Sequence, residues 1–239
     1  MKLLLISNST MPGEAYLDYP KHEIKNFLGD KPVTALFIPY AAVTFSYDTY
    51  CEKVEERFAE IGHHIVGIQT FTDPVKAIHK AEAIVVGGGN TWQLVRMMHE
   101  FKLMNPIREK VFGGVPYIGW SAGANVACPT LRTTNDMPIV DPKGFECTGL
   151  VPFQINPHYL DANPEGHGGE TREQRIQEFI EVNPDVYVAG LREGTMFKVE
   201  NSKLTLIGNR TCRIFKKGQE PFELSANDDF NFMCCDKVF

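Results

Sequence analysis

The chain has 239 residues, 43% of them hydrophobic and 23% charged, which is the composition of an ordinary globular protein with room for one sizeable α/β core. A formal net charge of −6 gives no electrostatic footprint for nucleic acid or an anionic membrane surface, and no stretch approaches the roughly 20 apolar residues of a membrane span. Six cysteines form no CxxC pair and no metal-ligand spacing, so reduced thiols in a cytoplasmic setting are expected.

The opening run Met1-Lys2-Leu3-Leu4-Leu5-Ile6 is too short for a secretory core and no small-residue cleavage site follows it, so residues 2–7 read as a first strand. Further β-rich apolar runs at 34–39, 64–69, 82–86 and 115–119 alternate with helical patterns. Tyr47, Tyr50, Cys51, Val54, Phe58 and Ile61 recur at helical spacing, and Gly62 closes that helix. Asp73-Pro74 opens a helix over 75–81, and Asn105-Pro106 repeats the signal before 107–112. Strands alternating with helices of this length predict βαβ units and a mostly parallel, doubly wound sheet.

The second half reads differently. Residues 150–156 and 186–190 suggest buried strands, with a charged amphipathic helix over 171–182 between them. Runs at 197–200, 203–207 and 213–215, with turn signals at Asn201-Ser202 and Gly208-Asn209, predict antiparallel hairpins finishing the sheet edge. Segments 129–149 and 157–170 lack periodicity, and loops of that length inside a compact domain are usually functional. One domain over 1–239 is expected, with a tail after about residue 218 that carries Cys234-Cys235.

Gly119-Trp120-Ser121-Ala122-Gly123 follows the strand at 115–119 and precedes a helical stretch over 122–128. A strand-to-helix elbow of this kind needs glycine on both sides of a serine whose hydroxyl it lifts from the sheet, with a helix N-terminus behind it. Gly87-Gly88-Gly89-Asn90, between the strand at 83–86 and a helix over 91–100, supplies a second backbone donor. The amides of Gly89 and Ala122 are therefore the candidate oxyanion hole. Neither GxGxxG nor GxxxxGK[ST] occurs, which argues against a nucleotide cofactor.

A base for Ser121 is sought among seven histidines. His158 follows the strand at 150–156 by two residues and so falls at the sheet edge where open α/β sheets build their sites. His167, among glycines, reads as a loop residue. The acid that fixes the tautomer of the base is Asp136 or Glu193, and the pattern alone does not separate them.

These residues resemble peptidase E, the aspartyl dipeptidase family. The resemblance is carried by Leu4-Leu5-Ile6-Ser7-Asn8-Ser9-Thr10, Val85-Val86-Gly87-Gly88-Gly89-Asn90-Thr91, Ile118-Gly119-Trp120-Ser121-Ala122-Gly123-Ala124-Asn125, the segment from Arg132 to Asp141, Gln154-Ile155-Asn156-Pro157-His158, and Gly169-Glu170-Thr171-Arg172-Glu173-Gln174-Arg175. It implies a fold similar to class I glutamine amidotransferases, a serine peptidase acting on dipeptides with an unblocked N-terminal aspartate, no metal and no cofactor. It maps the nucleophile to Ser121, the base to His158 and, as the preferred acid, Asp136, with Glu193 as the alternative. An aspartyl substrate would need an arginine for its side-chain carboxylate, Arg172 or Arg132, and carboxylates for its ammonium, Glu170, Asp161 or Glu165. An esterase of the α/β-hydrolase type and a non-catalytic Rossmann-like binder are the competing readings.

Overall fold

Leu3 and Leu5 of the first strand face one hydrophobic core, and Leu4 and Ile6 face another. Continuous apolar runs arise because the central strands are covered on both faces. In the computed structural model, which describes residues 1–163, 165–166 and 168–234, this strand (β1, Leu3–Ile6) lies inside a seven-stranded sheet. The sheet also contains β2 (Thr34–Ile38), β3 (His64–Gly67), β4 (Ile84–Val86) and β5 (Tyr117–Trp120). Its order is β3-β2-β4-β5-β1, all parallel, followed by β8 (Met196–Glu200) and β9 (Lys203–Ile207), which are antiparallel.

Helices α1 (Lys21–Leu28) and α2 (Tyr47–Glu60) bury Ile24, Phe27, Tyr50, Val54 and Phe58 on one face of this sheet. Helices α3 (Pro74–Lys80), α4 (Thr91–Glu100) and α5 (Met104–Phe112) bury Ile78, Leu94, Val95, Ile107 and Val111 on the other. The doubly wound α/β architecture is therefore as the sequence pattern predicts. Asp73 caps α3 by accepting from the Lys76 amide, with Pro74 at its first position. Helix α5 begins at Met104, slightly before the expected start, with Pro106 in a first turn that requires no donor from it.

Two features differ from expectation. The hairpins do not all finish one edge, because β8–β9 extends the large sheet beside β1 whereas β10 (Cys212–Phe215) and β11 (Phe222–Leu224) join a second sheet. This four-stranded sheet has the order β11-β10-β7-β6, with β6 spanning Gln154–Tyr159 and β7 spanning Val188–Arg192. Strand β6 also starts later than expected. The chain at Leu150 and Val151 bonds back to the Ala127 carbonyl rather than entering a ladder, and Pro152 has no amide to offer one. His158 thus lies within the strand instead of beyond it. Pro157 is tolerated because β6 is an edge strand.

The described part of the segment after residue 218 returns to the core at its far end. Phe230, Met233 and Cys234 are buried in the main core, while Cys235 lies outside the described residues.

Candidate active site

Ser121 joins β5 to the short helix α6 (Ala122–Asn125) with φ 52° and ψ −111°, a sparsely populated conformation that costs about 1–3 kcal/mol. The flanking glycines make it sterically possible. A Cβ on Gly119 would stand 2.2 Å from the Gly123 carbonyl oxygen, and one on Gly123 would stand 2.1 Å from that of Val86. The buried hydroxyl of Tyr117 donates to the same Gly123 carbonyl at 2.6 Å, fixing the far side of the elbow.

The glycine loop after β4 closes against the nucleophile. A Cβ on Gly88 would lie 3.0 Å from Trp120 Cδ1 and 3.1 Å from the Cβ of Ser121, a tight approach that a side chain there would have to relieve by moving the loop or the nucleophile. Gly89 has φ 133°, and a Cβ there would meet the Ala41 carbonyl oxygen at 2.3 Å. As the first residue of α6, Ala122 has an amide without an intrahelical acceptor. Gly88, Gly89 and Ser121 line one cleft, with Ala122 next in the chain after the nucleophile.

The Ser121 hydroxyl donates to Nε2 of His158 at 2.9 Å, and Nδ1–H of His158 donates to Oε1 of Glu193 at 2.7 Å. His158 owes its aim to a bulge. Its φ is 53°, and the β6–β7 register shifts between Pro157 and Tyr159, which turns the imidazole out of the alternation of the strand. Glu193 occupies the turn by which β7 of the small sheet passes into β8 of the large one, with Gly194 at φ 80°.

Two residues beyond β1 lock these parts together. Ser7 Oγ donates to the Leu191 carbonyl at 2.7 Å and accepts from the His158 amide at 3.0 Å. Asn8 Oδ1 accepts from the Gly194 amide at 2.9 Å. Neither was singled out for a role from the sequence, although their place at the carboxyl edge of a central parallel strand was the available signal.

The preference for Asp136 as the partner of His158 does not match this geometry. Asp136 Oδ2 accepts from the amide and hydroxyl of Thr91, at 2.7 and 2.6 Å, and from Thr134 Oγ1 at 3.2 Å. Its carbonyl also accepts from Trp92 Nε1 at 3.0 Å. The carboxylate is held at the positive N-terminus of α4, a favourable position for an anion, and the imidazole nitrogen is already taken by Glu193.

Ser121, His158, Glu193, Asp136 and Arg172 nevertheless share one cleft of about 330 Å³. Arg172 opens α7 (Arg172–Val182), whose N-cap Thr171 forms a capping box with Gln174. Burial and then the neighbouring Arg175 draw the Arg172 guanidinium below its usual range, against the pull of Asp136 and Glu193. Among the described residues it forms no ion pair, which leaves a half-buried cation beside the nucleophile.

The other substrate-binding candidates lie elsewhere. Arg132 is exposed, stacks 4.8 Å from the Phe145 ring centre and lines an adjoining cleft of about 510 Å³ that Ser121 does not touch. Glu170 lines that outer cleft and pairs with Arg175 at 3.8 Å. Asp161 is engaged by Arg192, Glu165 is exposed on the surface, and His167 lies outside the described residues. Among the described residues, no group of three or more His, Cys, Asp or Glu side chains could hold a metal ion, and no helix is long and apolar enough to cross a membrane.

A serine in a strained elbow, hydrogen-bonded to a histidine that is itself bonded to a carboxylate, with backbone donors beside it, is the arrangement serine hydrolases use. The chain belongs to peptidase family S51, whose family model matches residues 3–207. It is 53% identical over 232 residues to a protein named peptidase E from Nostoc sp., covering 97% of this chain and 96% of that one. It is 51% identical over 230 residues to peptidase E from Salmonella typhimurium, covering 96% of this chain and all of that one. A solved peptidase structure from an acI-B1 Actinobacterium superposes with a TM-score of 0.67 over 96% of each chain. At 18% identity that likeness speaks to the fold alone.

Proposed function

We propose that the protein is a serine dipeptidase that cleaves dipeptides bearing an unblocked N-terminal aspartate, through an acyl-enzyme on Ser121. The observation that carries this reading is the Ser121–His158–Glu193 chain opening onto a cleft that holds Arg172, which has no ion-pair partner among the described residues. Family membership and the similarity to proteins named peptidase E support it.

Ser121 Oγ attacks the peptide carbonyl while Nε2 of His158 takes its proton, and Glu193 stabilises the imidazolium. The amides of Gly89 and Ala122 face the oxyanion as the carbonyl becomes tetrahedral. Collapse breaks the C–N bond, with the proton passing from His158 to the departing amine. A water activated by His158 then hydrolyses the aspartyl ester and restores the Ser121 hydroxyl.

Arg172 takes the side-chain carboxylate of the substrate as a charge-assisted pair. The fixed carboxylate of Asp136 in the same cleft receives the ammonium, so the residue first expected to serve the base serves the substrate instead.

Hydrolysis of Asp-Leu and Leu-Leu, with phosphonofluoridate labelling of Ser121, tests the reading. Wild type should cleave Asp-Leu and spare Leu-Leu. Ser121→Ala should lose activity by a factor on the order of 10⁵. Arg172→Ala should raise KM for Asp-Leu by about 10- to 100-fold while Ser121 still labels. Equal rates on Leu-Leu, or an unlabelled Ser121, would remove the assignment.

A further inference from the structure

Two clefts meet at Ser121 and His158, and only the one containing Arg172 has been given an occupant. The second, of about 600 Å³, runs past Gly88 and Gly89 to a wall of Tyr16, Tyr50, Phe45 and Lys53. With the aspartyl half of the substrate in the Arg172 cleft, the departing amino acid has this second cleft to occupy. A volume of several hundred Å³ suits a small ligand.

The wall is rigid where it meets the nucleophile. The Tyr16 and Tyr50 hydroxyls lie 2.8 Å apart, and Trp120 Nε1, beside Ser121, donates to both, at 2.9 and 3.2 Å. Tyr50 also donates to the Gly88 carbonyl at 3.0 Å, tying the wall to the glycine loop. Phe45 packs edge-on to Tyr50 yet stays 48% exposed, an apolar surface on an otherwise open cleft.

Lys53 supplies the charge. Its ammonium sits 4.0 Å from the centre of the Tyr16 ring and has no carboxylate partner among the described residues. Among the described residues no other lysine or arginine lines this cleft, and the Asp136 carboxylate lines it together with Ser121 and His158, the residues it shares with the Arg172 cleft. In a dipeptide the departing residue carries its own terminal carboxylate, a short reach from the nitrogen being released. In a longer peptide that position is an uncharged amide.

Building on the dipeptidase reading, we propose that Lys53 binds the free C-terminal carboxylate of the departing residue while Phe45, Tyr16 and Tyr50 take its side chain, so that this cleft sets the preference for dipeptides. The contact is made equally in the bound substrate and the transition state, so its loss falls on KM rather than kcat.

The test compares Asp-Leu with Asp-Leu amide for wild type, Lys53→Gln and Lys53→Arg. Wild type should favour the free acid at least tenfold in kcat/KM. Lys53→Gln should bring the ratio close to one, with the loss for Asp-Leu in KM, and Lys53→Arg should restore a clear preference. Phosphonofluoridate labelling of Ser121 reports that each variant is folded. If Lys53→Gln does not label, the wild-type ratio and Lys53→Arg decide. A wild type indifferent to the amide, or a ratio that survives Lys53→Gln, overturns the role of Lys53 and leaves the Asp-X reading standing. A wild type that cleaves neither substrate overturns both.

Discussion

Replacing Glu193 with glutamine tests the acid of the site most directly. The carboxylate accepts from His158 Nδ1 at 2.7 Å, and both side chains are about one-third exposed, at 36% for His158 and 34% for Glu193. Glutamine keeps the size but can present its NH₂ to Nδ1, which would place the imidazole proton on Nε2, facing Ser121, and deny the nucleophile its base. In a buried triad the equivalent change costs about 10⁴ in kcat. Partial exposure weakens the electrostatic share here, so a fall of about 10³, equivalent to about 4 kcal/mol, is expected with little change in KM. Steady-state kinetics on Asp-Leu would be measured beside Asp136→Asn, whose loss should fall on KM and on the anchoring of α4. If Glu193→Gln stays within tenfold of wild type in kcat while Asp136→Asn loses about 10³, the His158–Glu193 contact is incidental and Asp136 is the acid after all.

Two further predictions concern the frame of the site. Gly119→Ala places a methyl group 2.2 Å from the Gly123 carbonyl oxygen, with no flexible side chain able to yield. It should cost about 3 kcal/mol or more, or abolish soluble expression, whereas Ser121→Ala should melt near wild type; a Gly119→Ala protein of normal Tm would disprove the steric account. Glu223 is held down to about 2, first by its hydrogen bond from Arg192 and against the cost of its own burial. Because its folded-state value is depressed, its contribution is complete above the ordinary carboxylate value of 4.5 and disappears as pH falls toward about 2. Urea midpoints across that window should fall less steeply for Glu223→Gln, and an unchanged slope would show that the pair adds nothing to acid stability.

How far the sequence could be read depended on how local each signal was. The elbow was legible because every constraint on Ser121 lies within a few residues of it: a buried strand, two glycines and a helix start. The parallel sheet was legible for the same reason, since 3.6-residue and two-residue periodicities are local. The acid was not. Asp136 and Glu193 both stood in plausible loops, and the choice turned on which donors each would meet. Thr91 and Trp92, more than 40 positions from Asp136, claim it, while the bulge at His158 swings the ring toward Glu193. The second sheet was missed because β10 and β8 are similar apolar runs, and only tertiary pairing with β7 or with β1 separates them. Arg172 and Arg132 were indistinguishable as letters, yet one opens a capped helix beside the nucleophile and the other stacks on Phe145.

The division of the site between two sheets also sets the order in which reactivity can arise. The nucleophile and its glycine loop stand on strands complete by residue 120, whereas the base and its acid belong to β6 and the turn after β7. What unites them is contact between distant segments, in which the Ser7 amide donates to the Thr195 carbonyl at 3.0 Å across most of the sequence. Contacts of such separation are slow to close. A refolding chain therefore carries a serine without its base until β6 and β7 have docked beside β1, so reactivity reports the joining of the two sheets rather than the completion of either.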